Sequence, residues 1–165
     1  MERIARGADL SRPALYQYFA NKDEIFASAF VALFEAHVER AVAELENDGT
    51  IADQLDGFMQ RFVGDLWERM AASEHANEIE SAKTGDLALA IGTLLADLWR
   101  ELDAHLAALV PGATASVVAK RQGWSDLVQL ASKGLRVDQP SIAIYRQRLR
   151  ALAQSIAADI DASRK

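Results

Sequence analysis

The chain has 165 residues, half of them apolar, with no cysteine and a formal net charge of −6. That length suits one domain, or a small head on a larger body, with enough apolar material for a sizeable core. Without cysteine there is no disulfide framework and no thiolate zinc site, which fits a reducing cytosol. No run approaches the roughly 18 uninterrupted apolar residues of a membrane span, and Met1-Glu2-Arg3-Ile4 does not open a signal peptide. The charge is uneven. Residues 1–24 carry four basic and four acidic side chains, residues 37–110 five basic and 15 acidic, and residues 111–165 nine basic and four acidic. The acidic excess therefore lies in the middle of the chain, and the first 24 residues are balanced.

Apolar residues recur at helical spacing almost throughout, and no segment alternates with period two, so an all-α fold is expected. Met1 to Ala8 reads as a short helix with Ile4, Ala5 and Ala8 turned inward. Asp9-Leu10 makes a turn. Ser11 caps a second short helix, with Pro13 in its first turn, where a missing N–H costs little. Leu15 and Phe19, four apart, face the interior. Asn21, with Glu24 three residues on, opens a long helix carrying Phe26, Phe30, Leu33, Val38, Val42 and Leu45. Asn47-Asp48-Gly49 is expected to end it through a left-handed glycine. Thr50 and Asp53 start the next helix, with Ile51, Leu55, Phe58, Phe62, Leu66, Trp67 and Met70 on one face. A short helix is expected from Ser73 to Lys83, stopped by Gly85. A further helix carries Leu87, Ile91, Leu94, Leu98, Leu102 and Leu106, and Pro111-Gly112 ends it. The penultimate helix is expected to break at Gly123. Gly134 and Asp138-Gln139-Pro140 separate it from the last helix. There Ile142, Tyr145, Leu149, Leu152, Ile156 and Ile160 lie on one side, and Arg146, Arg148 and Arg150 on the other.

Helix, tight turn and helix at the N-terminus are the parts of a helix-turn-helix, whose second helix enters the major groove of DNA. The residues Ile4-Ala5, Ala8-Asp9-Leu10-Ser11, Leu15-Tyr16-Gln17-Tyr18-Phe19 and Asn21-Lys22-Asp23-Glu24-Ile25 resemble, in order and spacing, the signature of the tetracycline-repressor (TetR) family of bacterial transcriptional regulators. Asp9 stands where that family usually has glycine. The resemblance implies a DNA-binding head over residues 1–24 and a helical ligand-binding and dimerisation domain over residues 25–165. It also implies a further helix packed ahead of Ile4-Ala5. None precedes it here, so the head reads as cut short, and poor operator binding is expected of the chain as it stands.

Position on the second helix assigns Ser11, Arg12 and Ala14 to base edges, with Arg12 able to donate two hydrogen bonds to a guanine. Tyr16, Gln17, Tyr18 and Lys22 complete the DNA-facing set; Tyr16, Tyr18 and Lys22 resemble the family's phosphate contacts. The resemblance places an inducer pocket among the middle helices. Phe58, Met59, Phe62, Trp67, Met70, Trp99 and Trp124 are its candidate lining, suited to an apolar or aromatic small molecule. The same stripe also reads as plain core. Gly57 and Gly64 admit either close helix approach or pocket volume. The resemblance further implies a homodimer through the last two helices, with Leu127, Leu149, Leu152 and Ile156 as candidate contacts.

Other constellations are thin. His75 shares a helix face with Glu78 but not with Glu80, so no metal site is expected. His37 and His105 read as packed or surface residues. No nucleophile elbow or Gly-rich phosphate loop occurs, so neither an enzyme nor a cofactor is expected. Two readings follow. The first is a ligand-responsive repressor that binds operator DNA and is released by an inducer. The second is a dimeric ligand-binding module whose incomplete head does not bind DNA.

Overall fold

The computed structural model describes residues 1–72 and 85–164, and within them every regular element is helical. The elements are α1 (Glu2–Gly7), α2 (Arg12–Tyr18), α3 (Lys22–Glu44), α4 (Ile51–Met59), α5 (Asp65–Ala71), α6 (Gly85–Leu109), α7 (Ala115–Asp126), α8 (Ser132–Gly134) and α9 (Ile142–Ser163). One-turn π-helical segments join α4 to α5 (Gln60–Gly64) and α7 to α8 (Leu127–Ala131). The short helix expected over 73–83, the His75, Glu78 and Glu80 set and the side chain of Met70 lie outside the described residues. No helix among the described residues is long and apolar enough to cross a membrane.

Helix starts follow the capping chemistry of the sequence. Asn21 Oδ1 accepts from the Glu24 amide at 2.9 Å, and the Glu24 carboxylate accepts from the Ala20 amide at 2.6 Å. Thr50 and Asp53 form a full capping box: the Asp53 amide donates to Thr50 Oγ1 at 3.2 Å and the Thr50 amide to Asp53 Oδ2 at 3.0 Å. These bonds serve backbone donors that a helix start leaves without partners; the Thr50 hydroxyl first, at 2.6 Å, and the Thr50 amide second donate to the Asp53 carboxylate and hold it below its ordinary pKa. Helix ends depart from expectation at two places. Gly49 is not left-handed; Gly112 is the glycine with positive φ, at 136°. What Gly49 provides is room, because a Cβ there would sit 2.7 Å from Asn47 Oδ1 and 2.8 Å from Asp53 Cβ. Nor does Gly123 break its helix: α7 runs through it, and the irregularity falls one turn later, in the π-segment.

The core lies between α3, α4, α6 and α9. On α3, Phe30, Phe34, Val38, Ala41 and Leu45 recur at three and four residues and are buried. They meet Leu55, Phe58 and Met59 of α4 and Leu98, Leu102 and Leu106 of α6 in one cluster. Helix α9 crosses α4 with Tyr145, Leu149, Ala153, Ile156, Ala157 and Ile160 turned inward. Gly57 brings α4 against α3, since a Cβ there would fall 2.7 Å from a Glu44 carboxylate oxygen. At Gly64 a Cβ would come within 3.0 Å of both the Arg146 guanidinium and Gln60 Oε1. Both glycines therefore serve close approach rather than cavity volume. In α1 and α2, Ala5 and Leu15 are buried against each other's helix and stand apart from the main cluster. Ile4 and Phe19 are half-buried, whereas Ala8, expected inside, is exposed.

His37 is buried at the first π-segment. Its Nδ1–H donates to the Arg61 carbonyl at 3.3 Å, within a turn where the regular helical ladder is interrupted. Nε2 has no partner. Burial first, and the Arg40 guanidinium second, push its pKa below the ordinary value; Arg69 acts in the same direction, and the Arg61 carbonyl and Asp65 oppose. Burial alone does the same at His105.

Two predictions follow from this packing. Thr50→Ala should cost about 1 kcal/mol in a urea titration through loss of the cap, and an unchanged midpoint would refute the role of the box. In the unfolded chain histidine titrates near about 6.5. A depressed folded value means that the unfolded state binds the proton more readily, so stability is full above that pH and declines as pH falls below it. The melting temperature should therefore drop between pH 7 and pH 5. That drop should be smaller in His37→Gln, which keeps a donor for the Arg61 carbonyl.

Candidate DNA-binding head and ligand cavity

The turn between α1 and α2 is built by backbone bonds. The Leu10 amide donates to the Ala5 carbonyl at 2.9 Å and the Asp9 amide to the Arg6 carbonyl at 3.3 Å. This is a Schellman closure, and its left-handed residue is Asp9, with φ of 54°. Aspartate accepts that conformation better than most side chains, though at a cost that glycine avoids. Ser11 then caps α2, its Oγ accepting from the Ala14 amide at 3.2 Å. The result is a second helix whose outer face carries Ser11, Arg12, Tyr16, Gln17 and Tyr18, all exposed. Tyr18 is 71% exposed and Tyr16 44%. The Arg12 guanidinium lies 5.7 Å from the Tyr16 ring centroid. Ala14 is half-buried. Lys22 is the first residue of α3, where unpaired backbone N–H groups also favour an anion. Arg12 and Lys22 are thus placed on one end of the molecule, with the body extending away along α3.

With this geometry in place, the comparison with known families decides the class. Residues 1–29 match the family model described as bacterial regulatory proteins, tetR family. Over these residues the chain is similar to the DNA-binding head of TetR-family regulators. The match covers α1, α2 and the first turns of α3, which is the helix-turn-helix and its connection to the body. That similarity supports a DNA-binding transcription regulator. No curated protein and no solved structure matches it.

The helical body forms a partly open cavity of about 270 Å³ between α3, the first π-segment, α6 and the α8 turn. Its apolar wall includes Phe30, Phe34, Phe62, Ile91, Leu95 and Trp99. The aromatic rings are in register. Phe34 meets Phe62 edge-on at 5.8 Å, and Phe62 meets Trp99 edge-on at 5.6 Å. Val63 and Leu66 continue the wall beyond Phe62. At one side stand Ser132, Lys133, Arg136 and Tyr145. The Tyr145 hydroxyl donates to the Ser132 carbonyl at 2.8 Å, and burial pushes its pKa up to about 12. The Ser132 hydroxyl donates to the Val128 carbonyl in the second π-segment.

Of the residues expected to line the cavity, Phe62 and Trp99 do so. Phe58 and Met59 lie in the core behind the wall, with Phe58 packed on Trp99 at 6.3 Å. Trp124 is buried elsewhere and donates its indole N–H to Asp159 at 2.8 Å. Trp67 stands behind the wall under Arg136, whose guanidinium lies 5.1 Å from its ring centroid. Sequence reasoning missed Phe30 and Phe34, although their spacing on α3 was visible. It also missed the cationic side, whose residues are brought to the cavity only by the fold of α8 around α9.

The expected dimer contacts divide in the same way. Leu127 is exposed and Leu152 half-buried, but Leu149 and Ile156 lie inside the chain's own core. Burial of such side chains contributes roughly 1.5–3 kcal/mol each, and α4 already uses it.

On DNA from upstream of the chain's own gene, Lys22→Ala should weaken binding across all sequences and lower the slope of log K against log salt by about one. Arg12→Ala should cost about 1–3 kcal/mol, at one base position only. Gel-shift titrations at several salt concentrations separate the two.

Proposed function

We propose that this regulator is a homodimeric repressor released from its operator by a small molecule that fills the cavity between α3 and α6. The observation that carries the reading is the course of α3. This helix begins at Lys22, four residues after the end of α2 at Tyr18, and about two and three turns later supplies Phe30 and Phe34 to the cavity wall. A ligand that displaces either ring acts on the same rigid element that holds the head. The stacked rings of Phe26 and Phe30, 6.1 Å apart, continue that packing toward the head. Release then requires that the ligand favour one orientation of α3 over the other, because a ligand indifferent to the two shifts nothing.

Dimerisation is supported by an exposed row on α7, the second π-segment and α8. Ala119, Gly123, Leu127, Leu130, Gly134 and Val137 follow one another at three and four residues and are exposed. Leu130 is 66% and Val137 80% exposed. Nothing lies within 4 Å of where a Cβ on Gly123 or Gly134 would sit. Ile144, Ala151 and Ala158 add exposed apolar or small side chains on α9. A two-fold partner would cover such a surface with its own copy. It would also set two heads about 34–36 Å apart, as successive major grooves require.

The test is the oligomeric state by light scattering at tens of micromolar, an order-of-magnitude choice set by weak-interface affinities. Wild type should be a dimer and Leu130→Arg a folded monomer with weakened operator binding. Leu149→Arg should instead lose folded structure, since it places a charge in the core. A folded Leu130→Arg dimer would remove this surface from the reading.

A further inference from the structure

We infer that the cavity takes a small amphipathic anion, an aromatic or medium-chain carboxylate, with its hydrocarbon part among Phe34, Phe62 and Trp99 and its carboxylate at Lys133 and Arg136. The inference rests on the reading of this cavity as a ligand site and adds the chemistry of the ligand.

Size sets the first bound. A dry apolar cavity of roughly 150 Å³ holds benzene, and drug-sized ligands occupy pockets of roughly 300–1,000 Å³. At about 270 Å³ this cavity admits a ring with a short tail, or a chain of similar bulk. Most of the wall is hydrocarbon and aromatic, so a ligand polar all round would lose more hydration than it regains.

The polar side then determines what the other end of the ligand must be. Four residues there carry polar side chains, and the two hydroxyls already donate inward: Tyr145 to the Ser132 carbonyl and Ser132 to the Val128 carbonyl. The donors left to face the cavity are the Lys133 ammonium and the Arg136 guanidinium, one turn apart. Among the described residues no aspartate or glutamate lines the cavity. Among the described residues neither cation has a carboxylate within ion-pair distance, and the nearby Asp138 is held by Arg148 through bonds of 2.6 and 2.8 Å. Arg136 is held by stacking on Trp67, which leaves its in-plane N–H groups available for a two-pronged acceptor. Two cations beside an apolar chamber fit a carboxylate better than an alcohol, and they reject an amine.

Octanoate, octan-1-ol and octylamine serve as probes of one shape and three charges, titrated into the full chain near neutral pH. Quenching of tryptophan fluorescence, to which Trp99 in the wall contributes, and the rise in melting temperature report binding. Octanoate should bind at least about ten-fold more tightly than octan-1-ol, and octylamine least. In Lys133→Met and Arg136→Met the advantage of octanoate over the alcohol should shrink toward parity, with affinity for the alcohol kept. Equal binding of octanoate and octan-1-ol by wild type, or an advantage unaltered in both variants, would overturn the anion assignment and leave the cavity reading standing. No binding of any of the three would overturn the cavity reading itself.

Discussion

Helix α9 lies across α4, and the rest of the body depends on that contact. Tyr145, Leu149, Ala153, Ile156 and Ile160 join Leu55, Phe58 and Met59 in one buried cluster. The two alanines at 153 and 157 keep the crossing close, as Gly57 does for α4 against α3. Once α4 is clamped on both sides, α6 closes the third with Leu98, Leu102 and Leu106. Such a core is close-packed, so it transmits displacement rather than absorbing it. That property is what a helix running from a DNA-binding head to a ligand cavity requires.

The charges of the middle and the end of the chain are joined by the same crossing. Arg146 of α9 donates to Asp65 and Glu68 of α5 at 2.8 and 2.7 Å, and to Gln60 Oε1 at 3.0 Å. Gln60 returns a bond to the Arg146 carbonyl at 2.9 Å. Arg150 reaches Asp56 at 3.0 Å. The acidic excess of residues 37–110 and the basic excess of residues 111–165 are therefore partly each other's counterions. Exposed pairs of this kind contribute little individually. Their effect is on register, since Arg146 meets the π-segment at the one place where Gly64 leaves room for it. The net charge of −6 thus reflects the body and says little about the head.

Both π-segments border the cavity. The first carries Phe62 and Val63 into its wall; the second leads to Ser132, Lys133 and Arg136. A wider turn rotates the following residues relative to a regular helix. It does so here on both sides of one chamber. His37 satisfies the Arg61 carbonyl within the first of them, which explains a histidine in so apolar a setting.

The local chemistry of the chain was legible residue by residue. Helical period, the caps at Ser11, Asn21 and Thr50, the left-handed turn at Asp9 and the helix-turn-helix pattern all depend on interactions within about five residues, so one sequence contains them. The apolar stripe of α9 was legible too, but not what would cover it: Leu149 and Ile156 suit a partner chain or α4 equally well until the fold brings α4 against them. Phe58, Met59, Phe62 and Trp124 share a chemistry that period alone cannot divide into wall and core, and only the fold turned Phe62 to the cavity and Trp124 to Asp159. Lys133 and Arg136 carry no local motif, and only the fold places them at the cavity. Tertiary structure decided these matters because they depend on contacts between residues tens of positions apart, which local spacing does not encode.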